Sequence, residues 1–483
     1  MSIRRFRRLP ILALIPALLI TACSGGSSPP PSGGGGGGGG PIAGPNCSLR
    51  ARQDWAAAQI REWYLFPETL PASLDPGQFT SVQDYVDALT ATARAQGKDR
   101  FFTAITSIAE ENAFFSQGQT AAFGIRVQYD NAARRAFIAD AFEGAPALAA
   151  GIDRGAELLA IGTSPDTLQN VSTLFAQGGS AAVSDAFGPS TAGVQRTIRF
   201  VAGGVTQTVT ITKATFNIQP VSPRFGVRVI QDGPERVGYI NLRSFISSAD
   251  PQLRAAFADL RAQGISRFVI DFRYNGGGLV SIAELMGNLL GGNRLPSEIF
   301  AREVFRPEKS SNNVTIPFRV QPQSVSPLRI AFIGTDATAS ASEFVINGFI
   351  PFFPQPAGQN ASMALIGENT FGKPVGQIAR DRAECDDRLR ITAFATQNGA
   401  GQGDYYDGLA TRVPNSCAAT DDLSRPLGDA QEASTARALD FLNGRVCVPI
   451  DGVANTADGG GAGRQMLRPA RPTLAQQEVP GLY

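Results

Sequence analysis

The segment Arg267-Phe-Val-Ile-Asp-Phe-Arg-Tyr-Asn-Gly-Gly-Gly278 joins an apolar run to three consecutive glycines. The apolar run predicts a buried strand, and glycine permits turn conformations that other residues avoid. A second apolar strand is predicted at Leu328–Ile333, followed by a helix at Ser342–Phe349. Because strand and helix patterns alternate from residue 225 to residue 450, we expect an α/β core in this part of the chain.

The rest of the chain changes character several times, which predicts a multidomain protein. A helical pattern that includes Trp55, Ile60 and Trp63 is followed, near Phe123, by a residue pattern typical of β-strands. We therefore predict a signal peptide at 1–22, a flexible Gly/Pro/Ser linker at 23–45, a helical domain at 46–118, a β domain at 119–216, the α/β core at 217–450 and a flexible tail at 451–483. The last residues of that tail are apolar enough to dock elsewhere on the molecule.

The N-terminus carries the features of a secretion signal. A cluster of arginines precedes an apolar stretch, Pro10–Ile20, that is too short for a comfortable membrane span. The sequence Ile20-Thr-Ala-Cys23 resembles the bacterial lipobox, which implies lipidation of Cys23 and anchoring to the membrane. Ser24 follows the cysteine where an aspartate would favour the inner membrane, so we expect the outer membrane, facing the periplasm. The alternative is an ordinary signal peptide with a chance cysteine.

Composition excludes several classes of function. The chain has 43 basic and 42 acidic residues, so it lacks the positive charge expected of a nucleic-acid-binding protein. It has no histidine at all, which rules out a Ser–His–Asp triad and any metal site ligated by histidine. If the protein is a hydrolase, its general base must be a lysine, a glutamate or an aspartate.

Four cysteines remain once Cys23 is set aside: Cys47, Cys385, Cys417 and Cys447. In an oxidising compartment they predict two disulfides, with three possible connectivities, although four free thiols are the alternative.

Two further segments carry chemistry. Ser340, in Ala337-Thr-Ala-Ser-Ala-Ser-Glu343, follows a strand and opens a helix, where free N–H groups such as that of Ala341 can bind an oxyanion. A serine needs a base, and Lys373 in an apolar setting can serve when it is neutral. Taken alone, Ser340-x-x-Glu343 is also a helix capping box, and Lys373 would be a surface lysine.

The glycine turn, the Ser340 segment and Gly367-Glu-Asn-Thr-Phe-Gly-Lys373 occur in the order found in carboxyl-terminal processing (tail-specific) serine peptidases, which are related to the tricorn core. The three motifs closely resemble those of that family. The resemblance implies a crotonase-like ββα spiral, catalysis without cofactor or metal, and proteins or peptides as substrates. It also implies that Gly277 is a second oxyanion donor, that Gln377 orients Lys373, and that Glu343 fills the family's acidic position.

Residues 119–216 resemble a PDZ domain of bacterial proteases, because Gly144-Ala-Pro-Ala147 is followed by a sequence typical of a β-strand. Such domains bind an extended peptide as an added strand. The resemblance implies that Phe123, Gly124 and Ile125 form the peptide-binding loop.

Together these features predict an endopeptidase of the bacterial cell envelope that cleaves unfolded or C-terminally recognised proteins. The alternative is an inactive, peptidase-like lipoprotein that binds peptides or apolar ligands. A weaker idea, a polymer-degrading enzyme, would use the pairs Asp386–Asp387 and Asp421–Asp422, which we interpret as solvated turns. The sequence leaves the oligomeric state open.

Overall fold

The structure is a computed structural model that describes residues 45–353, 362–451 and 463–483. Within these ranges no helix has the length and apolar character needed to cross a membrane. The predicted signal peptide, Cys23 and all but the end of the predicted linker lie outside the described residues.

The helices are α1 (Leu49–Trp63), α2 (Val82–Leu89), α3 (Ala91–Ala95), α4 (Ile108–Gln117), α5 (Pro146–Ala149), α6 (Val171–Ala186), α7 (Ala249–Ala262), α8 (Val280–Leu290), α9 (Ala341–Phe349), α10 (Ala433–Leu442) and α11 (Leu474–Glu478). The strands are β1 (Ala104–Ser107), β2 (Gln119–Ala122), β3 (Ile125–Asp130), β4 (Arg135–Ala141), β5 (Glu157–Gly162), β6 (Gln169–Asn170), β7 (Gln195–Ala202), β8 (Val205–Thr212), β9 (Ala214–Asn217), β10 (Val227–Asp232), β11 (Glu235–Asn241), β12 (Arg267–Asp271), β13 (Ile299–Phe305), β14 (Val314–Pro317), β15 (Arg329–Gly334), β16 (Met363–Gly367), β17 (Val375–Arg382), β18 (Asp387–Asn398), β19 (Ser416–Ala418) and β20 (Gln465–Met466).

A six-stranded sheet in the order β10-β11-β12-β15-β16-β19 lies at the centre of the predicted α/β core. All of its neighbouring pairs are parallel except β10 with β11. Successive side chains of a strand point to opposite faces. Ile270 and Phe332 therefore pack with α7, α8 and α9, whereas Val269 and Ala331 pack with α10 on the other face. Burial on both faces explains the unbroken apolar runs, and the predicted α/β class is confirmed.

A second sheet has the order β1-β18-β13-β14, with β17 also paired to β18. Helices α1 and α2 pack on it through apolar residues that share one core with Leu389 and Ile391 of β18. The helical N-terminal region is thus built onto the same sheet that carries β17.

A third sheet, β20-β3-β4-β5-β7-β8 with β6 beside β5, has its own apolar core under α6. Strand β20 and Tyr483 belong to this unit, so the prediction of a flexible tail at 451–483 is wrong for residues 463–483. The physical reason is that the backbone groups on this side of β3 need partners, and that Val479, Leu482 and Tyr483 are buried in the two apolar clusters beside it.

Two disulfides resolve the three possible connectivities. Cys47 pairs with Cys385, and Cys417 pairs with Cys447, with Cα–Cα distances of 5.5 and 5.4 Å. The first bond joins the start of the helical region to the turn between β17 and β18, and the second joins β19 to the segment after α10.

Candidate active site

Ser340 lies in a strained turn between β15 and α9. Its φ of 55° falls in the left-handed region, which non-glycine residues rarely adopt. The glycine turn after β12 lies against it, because β12 and β15 are parallel neighbours whose carboxyl ends meet at one edge of the sheet. A Cβ placed on Gly277 would come within 2.8 Å of the Ser340 Cβ. The close approach of these two loops therefore requires glycine at position 277.

A single buried carboxylate, that of Glu343, fixes the loops that carry Ser340 and Lys373. Its Oε2 accepts hydrogen bonds from the N–H groups of Ser340 (3.0 Å) and Lys373 (2.8 Å). Its Oε1 accepts from the Gly372 N–H and the Thr370 hydroxyl, both at 2.7 Å. Burial raises the pKa of this carboxyl, and the hydrogen bonds that it accepts oppose the shift. The backbones of Ser340 and Lys373 are thus both hydrogen-bonded to the same carboxylate oxygen.

The amino group of Lys373 sits in a setting that favours its neutral form. Its removal from water lowers the pKa of Lys373, while the carboxylates of Glu478 and Asp99 partly oppose that shift. The Nζ donates to Gln377 Oε1 at 3.2 Å and lies 4.6 Å from the centre of the Phe102 ring. A neutral lysine is what general-base catalysis needs, and Gln377 fixes its direction.

The segment before β1 supports the lysine, a contribution that sequence reasoning missed. The Gln377 amide donates to the Phe102 carbonyl, and the Arg100 guanidinium donates to the carbonyls of Phe371 (2.8 Å) and Gly372. These contacts join positions more than 270 residues apart, and the local sequence carried no signal for them.

The predicted oxyanion donors occupy different situations. The Ala341 N–H is the first of α9, so it has no intrahelical acceptor. Its nitrogen lies 3.2 Å from the point where a Cβ added to Gly277 would be. The Gly277 N–H donates to Asn275 Oδ1 at 3.0 Å, and the Gly276 N–H donates to the Glu478 carbonyl at 3.1 Å. In this conformation Ala341 therefore offers an available donor, whereas Gly277 is engaged within its own turn.

Arg273, which lies between β12 and the glycine turn, is held by buried ion pairs. Arg273 is fully buried and forms ion pairs with Asp271 and Glu432, each at 2.9 Å, and with Asp421 at 3.3 Å. The interpretation of the aspartate pairs as solvated turns is therefore wrong for Asp421, and Asp387 is also buried. These carboxylates are consumed by structural ion pairs.

A cavity of about 200 Å³ opens beside the serine. Its lining includes Ser340, Gln377 and Phe102, together with Gln477 and Glu478 of the C-terminal segment.

The predicted peptide-binding loop lies apart from this cavity. Phe123, Gly124 and Ile125 join β2 to β3, and Gly124 has a φ of 82°. The N–H groups of Gly124 and Ile125 both donate to the backbone oxygen of Tyr483. The loop thus binds an extended segment in this structure, and that segment belongs to the chain itself.

The part of the chain that contains Ser340 and Lys373 is similar to known proteins. Residues 236–405 match the model of peptidase family S41. The carboxyl-terminal-processing protease of Picosynechococcus sp. is 29% identical over 230 residues, which cover 48% of this chain and 49% of that protein. The carboxy-terminal processing protease CtpA of Bacillus subtilis is 30% identical over 172 residues, which cover 34% of this chain and 32% of that protein. The chain matches these curated relatives over about half of their length or less.

A crystal structure of a proposed S41 protease from Bacteroides fragilis shares the fold, with a TM-score of 0.59 and 21% identity over 81% of this chain and 97% of that one. The resemblance read from the three motifs is confirmed. Residues 236–405, which contain Ser340, Glu343, Lys373 and Gln377, form a peptidase family S41 domain, and the chain is a relative of the carboxyl-terminal processing proteases.

Proposed function

We propose that this chain is a serine endopeptidase in which Ser340 is the nucleophile and Lys373 the general base. The observation that carries the proposal is the Glu343 carboxylate, which holds the backbones of both residues through one oxygen atom. The lowered pKa of Lys373 supports the same assignment, because only a neutral amine can accept the serine proton.

The proposed reaction uses these groups in the following way. The neutral Nζ of Lys373 takes the proton from the Ser340 hydroxyl as Oγ attacks the scissile carbonyl. The oxyanion binds the Ala341 N–H, and the Gly277 N–H once its bond to Asn275 opens. The C–N bond breaks as Lys373 returns the proton to the departing amine. Water, deprotonated by Lys373, then attacks the acyl carbonyl, and the ester bond to Ser340 breaks as Lys373 returns the proton to Ser340 Oγ.

We assign the substrates to unfolded or C-terminally recognised proteins of the bacterial cell envelope. An extended polypeptide fits the Phe123–Ile125 loop, which binds a strand by its backbone in this structure. The lipobox-like sequence at Cys23 supports a lipid anchor in the outer membrane facing the periplasm. Incorporation of labelled palmitate into the chain, and its loss in Cys23→Ala, would test the anchor; equal labelling of both would contradict it.

The catalytic assignment is tested by cleavage of an unfolded protein by the wild type, Ser340→Ala, Lys373→Met and the exposed control Ser311→Ala. Methionine keeps most of the volume of lysine but cannot accept a proton. We expect cleavage by the wild type and the control only, with all four proteins folded by circular dichroism. Cleavage by Ser340→Ala would contradict the mechanism. Peptide binding without turnover in every protein would favour the binding lipoprotein instead.

A further inference from the structure

The last residues of the chain form an added strand on the edge of β3, next to the part of that edge that β20 occupies. Tyr483 N–H donates to the Ile125 carbonyl at 2.9 Å, and Val127 N–H donates to the Gly481 carbonyl at 2.9 Å. The Tyr483 oxygen in turn accepts from the N–H groups of Gly124 (2.9 Å) and Ile125 (3.3 Å). This is the backbone pattern by which a sheet edge binds an extended peptide. We call the edge of β3 from Gly124 to Val127 the β3 groove.

The β3 groove has a side-chain pocket that fits a tyrosine. The ring of Tyr483 packs on Phe187, with ring centres 4.5 Å apart, and its hydroxyl donates to Ser184 Oγ at 2.7 Å. Leu482 points the other way, into a separate apolar cluster with Phe142. A small side chain would leave this pocket empty, and phenylalanine would leave the serine hydroxyl without this partner.

The residues just before this strand line the cavity beside Ser340. Helix α11 contributes Gln477 and Glu478 to the cavity that Ser340 lines, and the Glu478 carbonyl accepts from the N–H of Gly276. The buried Oε2 of Glu478 has no hydrogen-bond partner among the described residues. A buried carboxylate oxygen without a hydrogen bond costs free energy, so the cleft end of the segment carries an unsatisfied polar atom.

We propose that residues 474–483 are an intramolecular inhibitor of the peptidase, and that the β3 groove selects extended peptides that place a tyrosine where Tyr483 lies. The groove holds the segment, and α11, directly before it in the chain, covers the cleft. A protein with the same pattern displaces the strand from the groove, which frees α11 to leave Ser340. The inhibitory part of this proposal rests on the proposed function, whereas occupancy of the groove does not.

The test uses the full chain with Cys23→Ser and Ser340→Cys. The four remaining cysteines form disulfides, so a maleimide reports the exposure of the introduced thiol in the cleft without any turnover. The labelling rate is measured in this parent and in versions that also carry Tyr483→Ala or the conservative Tyr483→Phe. In a second arm, a synthetic peptide with the sequence of residues 479–483, which lacks α11, or the same peptide with alanine for the tyrosine, is added to the parent.

We expect Tyr483→Ala to raise the labelling rate about tenfold or more, because truncating a buried aromatic side chain removes more binding energy than that factor requires. Tyr483→Phe should raise it less. The tyrosine peptide should accelerate labelling of the parent, and the alanine peptide should not. Equal labelling of parent and Tyr483→Ala, with equal effects of the two peptides, would overturn the proposal.

The same variants separate this proposal from the proposed function. With Ser340 restored, Tyr483→Ala should cleave an unfolded protein faster than the wild type. Fast labelling without turnover in either protein would overturn the peptidase assignment and its inhibition, while confirming that the segment occupies the groove.

Discussion

At the scale of single residues, Glu343 carries the geometry of the site without facing the substrate. A capping-box glutamate ordinarily satisfies one helix N–H group. Here the same carboxylate accepts four hydrogen bonds, two of which come from the loop that ends at Lys373. The sequence pattern therefore predicted the contact with Ser340, but not the second and more consequential one.

We expect Glu343→Gln to lower kcat about tenfold to a hundredfold with little change in KM. The amide nitrogen would face N–H groups, and a displacement of about 1 Å between Ser340 and Lys373 is enough for such a loss. Thr370→Val removes only one of the four hydrogen bonds and should lower kcat less. Steady-state kinetics of both variants checks this prediction, and an unchanged kcat in Glu343→Gln would contradict it.

The pH dependence of cleavage should report the titration of Lys373. Cleavage needs the neutral amine, so kcat/KM should rise with pH through the lowered pKa of Lys373. The Glu478 carboxylate favours the protonated lysine, so Glu478→Gln should lower that pKa further and move the rise in kcat/KM to lower pH. An unchanged pH profile, measured on the same unfolded substrate, would show that the carboxylate does not act on the lysine, and a shift to higher pH would contradict the predicted sign.

At the scale of secondary-structure elements, the core was predictable because its strands are buried on both faces. The predicted strand at 328–333 is β15, shifted by one residue, and the predicted helix at 342–349 is α9, which begins one residue earlier. Continuous apolar runs leave little ambiguity in such elements. The contacts of Arg100 and Phe102 with the lysine loop were not predictable, because they depend on how the N-terminal helices pack on β18.

The glycine turn that follows β12 depends on the buried guanidinium of Arg273. Arg273→Met would leave Asp271 and Glu432 buried without their arginine and would remove one of the two arginines that pair with Asp421. We therefore expect a loss of about 3–5 kcal/mol in the free energy of unfolding. Urea denaturation measures this change. The matched control is Arg50→Met, which breaks an exposed ion pair on α1 and should leave the midpoint unchanged.

At the scale of the whole molecule, the candidate site is assembled from different sheets. Ser340 and the glycine turn follow β15 and β12 of the six-stranded sheet, whereas Lys373 precedes β17 and Gln377 lies on it, in the five-stranded sheet. The motifs identify the residues, but their juxtaposition needs both sheets. The tail was mispredicted because its few apolar residues gain their burial from the third sheet and from a separate cluster around Phe142 and Phe216, both far away in sequence.

The disulfide between Cys47 and Cys385 also has a mechanical consequence. It joins positions 338 residues apart, and the backbone between them carries both Ser340 and Lys373. Consider a pulling force applied between the residues that precede Cys47 and the residues that follow Cys385. This force would pass through the disulfide, and the backbone between the two cysteines would be bypassed. Reduction of this bond would transfer the load onto that backbone, so that the same pull would act on the candidate active site.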